Sequence, residues 1–107
     1  MALITDMRHF LNENGHLHEA LPKPAVGLAL FQASIVAWVS MCSTLRGYQR
    51  TNVLCRRRAA RTPCWGEVIA VLDPSSDTID WHCPACGDDG FIRHWEGTPW
   101  DRRTPAA

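Results

Sequence analysis

Net charge is missing from this chain of 107 residues, in which eleven lysines and arginines balance eleven acids. The overall balance therefore points to neither a nucleic-acid nor a membrane partner. Internal repeats and low-complexity tracts are also absent, which sets aside repeat architectures. No Ser/His/Asp set, paired-carboxylate cleft or phosphate-cradling loop can be read, so an enzyme is disfavoured. A long run free of polar atoms is lacking as well. The apolar stretch "PAVGLALFQASIVAWVSMC", residues 24–42, contains Gln32, Ser34 and Ser40, so no membrane role is expected. The residues before it mix Asp6, Glu13 and Glu19 with Arg8 and Lys23, too long and mixed for a signal n-region. In "VSMC", Met41 stands where a lipoprotein site wants a small residue.

The charge that is present is segregated. Residues 44–65 carry Arg46, Arg50, Arg56, Arg57, Arg58 and Arg61 and no acid, a local net of +6. Residues 66–96 carry Glu67, Asp73, Asp77, Asp80, Asp88, Asp89 and Glu96 against Arg93 alone, a local net of −6. The chain is electrically dipolar. Its length suits one domain, or a small domain with a helical arm, whose modest core would gain from a metal staple. The five cysteines are an odd number for a disulfide scaffold. Cys42 sits in the apolar run as a buried thiol, and the others fall into the pairs Cys55/Cys64 and Cys83/Cys86. That usage fits a reducing compartment, and a cytoplasmic location is expected.

Periodicity sketches the elements. Leu3, Met7, Phe10 and Leu11 recur at helical spacing, with Thr5 or Asp6 as cap and Gly15 as stop. After the connector "HLHEALPKP", a second helix is expected from Pro24 towards Gly47. Leu28, Phe31, Ile35, Trp38, Cys42 and Leu45 form one stripe; Val26, Leu30, Ala33, Ala37 and Met41 form another. Two stripes demand cover on two sides, from the first helix and the sheet or from a second copy. Beyond residue 51 the period changes, and "GEVIAVLD", "TIDWHC" and "FIRHW" read as three short antiparallel strands joined by turns. The expected fold is α+β: a helical arm of two helices (1–47), a three-stranded antiparallel ribbon (48–101) and a disordered tail (102–107).

The knuckle "CPACG" puts two thiolates on one tight turn, from which both can reach one zinc ion. Gly87 supplies the positive φ that closes the turn, and Pro84 stiffens it. Eight residues separate Cys55 from Cys64, wider than the usual spacing of roughly two to four. Eighteen residues then lead to Cys83, about a hairpin's length. Residues 53–96 resemble a zinc ribbon. The chain also resembles a group of small uncharacterised bacterial proteins in which a helical arm precedes "W-x-C-x-x-C-G-D" and "G-x-I-x-x-W". That resemblance implies zinc and no activity. Cys55, Cys64, Cys83 and Cys86 are the expected ligands of one structural Zn2+.

Other readings of these residues fit less well. A thioredoxin-like pair would open a helix, whereas "GDDGFIRHW" continues as turn and strand. A zinc deaminase would place H-x-E before P-C-x-x-C, and here His94-Trp95-Glu96 comes after. A catalytic zinc would leave a position open, but a fourth cysteine is at hand to close it. His82 or His94 could replace a cysteine; ordinary strand histidines are the preferred reading. His16 and His18 have metal-like spacing only. Arg56, Arg57, Arg58 and Arg61 either compensate a tetrathiolate of net charge −2 or, beside Tyr48 and Trp65, grip nucleic-acid phosphates. Trp81 and Trp95 are read as core. The reading is thus a zinc-ribbon adaptor that docks a protein partner or a second copy through the helix near residues 24–45. Nucleic-acid binding through Arg46–Arg61 is the alternative.

Overall fold

A computed structural model describes residues 3–41, 47–56, 58–59 and 62–103. The elements run β1 (Leu3–Asp6), a 3-10 turn (Met7–Phe10), α1 (Lys23–Met41), β2 (Gln49–Leu54), β3 (Arg58–Ala59), β4 (Thr62–Pro63), β5 (Glu67–Asp73), β6 (Thr78–His82) and β7 (Asp89–Arg93). The class is α+β, but the architecture corrects the expected one. Among the described residues a single α-helix lies on a five-stranded mixed sheet of order β1-β7-β6-β5-β2. It replaces the expected two helices and three-stranded antiparallel sheet.

The three strands read from alternation do form the sheet's centre. Val68 and Ala70 of β5, Ile79 and Trp81 of β6 and Ile92 of β7 are buried on one face, as the register Ala70↔Trp81, Leu72↔Ile79 and Ile79↔Ile92 requires. Their neighbours in sequence, Ile69, Val71, Asp80, His82 and Phe91, sit half-buried on the other face.

The expected first helix is a strand and a turn. Ile4 and Thr5 are β-branched, and β1 alternates, with Thr5 buried and Ile4 62% exposed. It pairs parallel with β7, Ile4 opposite Phe91. Helical spacing survives only as the 3-10 turn, whose start Asp6 caps by accepting the Arg8 amide at 2.9 Å. The fifth strand, β2, pairs antiparallel with β5 across an irregularity between Arg50 and Leu54. Asn52 there has φ 57°, and its amide donates to the Glu67 carboxylate at 2.9 Å. Within the arginine run, β3 and β4 make a separate two-residue pairing.

The first bond of α1 runs from the Val26 amide to the Pro22 carbonyl, 3.0 Å, so Pro24 falls in the first turn where no N–H is needed. Residues 42–46, over which the helix was expected to continue, lie outside the described residues, with Cys42 and Arg46 among them. By length and composition α1 could cross a membrane. In this fold Phe31, Ile35, Val36 and Val39 are buried in a core shared with the sheet. Phe31 meets Trp81 edge-on at 5.3 Å between ring centroids. The second stripe divides: Ala33 is buried, while Leu30 and Met41 face outward, 51% and 57% exposed.

Candidate metal centre

Three chain segments that begin or end at strands of the sheet meet at one corner. Cys55 follows β2, Cys64 precedes β5, Cys83 follows β6, and Cys86 stands three residues before β7. The knuckle closes as the Gly87 amide donates to the Cys83 carbonyl and the Cys83 amide to the Asp88 carbonyl, both 2.8 Å. Gly87 has φ 80°, a conformation that costs glycine little. On the facing side the Cys55 amide donates to the Gly66 carbonyl at 2.9 Å. Gly66 itself has no room for a side chain. A Cβ there would stand 2.6 Å from Cys83 Sγ and 2.7 Å from Ala85 Cβ.

The four sulfurs lie within 4.8 Å of one another, and none is in a disulfide. The Cys55–Cys86 and Cys64–Cys83 sulfurs are each 3.7 Å apart. A tetrahedron with zinc–sulfur bonds of about 2.3 Å has edges of about 3.8 Å, so the donor set fits that ion in spacing and in softness. The sulfurs could hold a metal ion as they stand. Among the described residues no other group of three or more Cys, His, Asp or Glu side chains is so arranged.

The thiols also influence one another. Burial works to raise the Cys83 thiol, but the Cys86 and Ala85 amides, with the Cys64 and Cys86 thiols, outweigh it and lower its pKa. For Cys64 the Gly66 amide works to lower the pKa; burial and the contacts with Cys83 and Cys86 overcome it, and the thiol is raised. One thiolate is favoured and its neighbour resists. A bound dication would remove that conflict by stabilising all four anions.

Other residues singled out in the sequence lie elsewhere. His82 packs edge-on against Tyr48, 4.8 Å between ring centroids. His94, with φ 56°, donates from Nδ1 to Asp6 at 2.9 Å. Arg56 is exposed, its guanidinium 5.9 Å over the Phe31 ring of α1. Arg57, Arg61 and the side chain of Arg58 lie outside the described residues. Arg50 pairs with Glu67 at 2.8 Å. The residue that sequence reasoning undervalued is Gly66, whose only signal was its place after Cys64-Trp65. Comparison with protein-family models, curated proteins and solved structures gave no match.

Proposed function

We propose that this is a small zinc-ribbon-type protein of the cytoplasm in which Cys55, Cys64, Cys83 and Cys86 hold one structural zinc ion. It serves as a protein-interaction module and catalyses no reaction. The observation that carries the reading is the set of four sulfurs within 4.8 Å of one another at one corner of the sheet. Four thiolates close the coordination shell and leave no position for a reacting water.

The interaction reading rests on α1. From Pro24 to Met41 it carries no charged residue, and its outward side exposes Leu30 and Met41. A second copy offers the same uncharged side without opposing charges, which supports self-association over docking to a charged surface. Two of the six arginines weigh against a phosphate grip, because Arg56 packs on Phe31 and Arg50 is engaged by Glu67. Sedimentation of the zinc-loaded protein tests the module. The wild type should be dimeric or larger at tens of micromolar, and Leu30→Glu should give a monomer with unchanged zinc content. A wild-type monomer would end the self-association reading and leave the zinc reading intact.

A further inference from the structure

Two sulfur contacts of 3.7 Å share a property. Cys55 and Cys83 are buried, at 7% and 0% exposure, whereas Cys64 and Cys86 are half-buried. Each 3.7 Å contact joins one of each kind: half-buried Cys86 with buried Cys55, half-buried Cys64 with buried Cys83. Both contacts run between the two halves of the site. Neither joins the Cys83-x-x-Cys86 pair of the knuckle.

We propose that the four-cysteine centre is also an oxidation-controlled metal-release site, in which a peroxide turns the four thiolates into the disulfides Cys55–Cys86 and Cys64–Cys83 and expels the zinc. The proposal rests on the zinc reading. An accessible thiolate meets the oxidant first. Cys64 or Cys86 attacks a peroxide oxygen, the O–O bond breaks, and a sulfenic acid and hydroxide form. The buried thiolate beside it then attacks the sulfenic sulfur, forms the S–S bond and displaces a second hydroxide. Each pair is oxidised by two electrons and one peroxide is reduced, so two peroxides consume all four thiolates. The sulfurs lose their negative charge, and with it their hold on the cation. Because both disulfides bridge the two halves of the site, the corner stays closed without the ion.

The test uses the full chain, reduced and zinc-loaded, with Cys42→Ser alongside to remove the fifth thiol. Zinc is counted first. Hydrogen peroxide is then added in excess, zinc release is followed with a metal-sensitive dye, and disulfides are mapped by non-reducing peptide mass spectrometry. The expected result is release of one zinc as the two named disulfides form, with re-uptake after a thiol reductant. Cys83–Cys86 or Cys55–Cys64 disulfides, sulfinic acids without disulfides, or zinc that stays bound would overturn the release device. A starting protein without zinc would overturn the zinc reading, and the release with it.

Discussion

Gly66 lets two chain segments meet at the sulfurs, since a Cβ at that position falls 2.6 Å from Cys83 Sγ. Gly66→Ala should therefore cost about 1–3 kcal/mol as an overpacked site and weaken metal binding, while Gly47→Ala, with nothing within 4 Å, should leave zinc affinity unchanged. Competitive zinc titration of both variants checks this. Asp6 is a second position with a measurable consequence. Burial works to raise its carboxyl, but the Arg8 side chain and amide and the His94 ring outweigh it and hold it at about 2, below the ordinary 3.8. A lowered folded-state value means stability fully present above the unfolded value and lost as pH falls through the folded one. The denaturant midpoint of Asp6→Asn should thus lie below wild type at pH 5, with the gap closing towards pH 2. A gap that does not depend on pH would refute the assignment. Both knuckle cysteines and Gly87 were legible in the sequence, because a C-x-x-C-G turn is a local matter. Gly66 was not, since nothing in chain order says which sulfur it will face.

Helix α1 was legible from its apolar run, yet its buried side was legible only in part. The two predicted stripes meet the true buried arc only through Phe31 and Ile35 of the first and Ala33 of the second; the rest of that arc includes Gln32, Val36 and Ser40. Ser40 is satisfied, accepting the Arg102 amide at 2.8 Å. The Gln32 side-chain amide is fully buried and has no hydrogen-bond partner on either atom among the described residues. Leaving such a group unpaired costs about 1–3 kcal/mol. Gln32→Leu should raise stability by a similar amount in chemical denaturation, and a loss of stability would mean that the amide has a partner. The central strands β5, β6 and β7 could be read because each alternates over a buried face. The flanking strands could not. β1 is four residues long, carries an Asp6 cap and fits a helical spacing by coincidence; only its pairing with distant β7 makes it a strand. β2 is polar and broken by Asn52 at positive φ, and Glu67, fifteen residues away, holds its irregularity.

Across the molecule, the metal corner and the helix share one core: Cys55 and Cys83 belong to the same buried cluster as Phe31, Trp81 and Trp95. Trp95 is sealed from the far side, its Nε1 donating to the Asp77 carbonyl at 2.6 Å and Arg103 stacked 4.5 Å over its ring. The buried cluster thus joins the metal corner to the helix and to the centre of the sheet. Structural zinc in finger peptides contributes an apparent ~10–16 kcal/mol, more than most small domains hold in net stability. Its loss should open the corner at β2, β5 and β6 first. The most direct test is elemental analysis of natively purified protein that has never met a chelator, with Cys83→Ser beside it. The account predicts one zinc per chain in the wild type and none held tightly by the variant. Less than about half an equivalent in the wild type, against the tight binding expected of four thiolates, would contradict it.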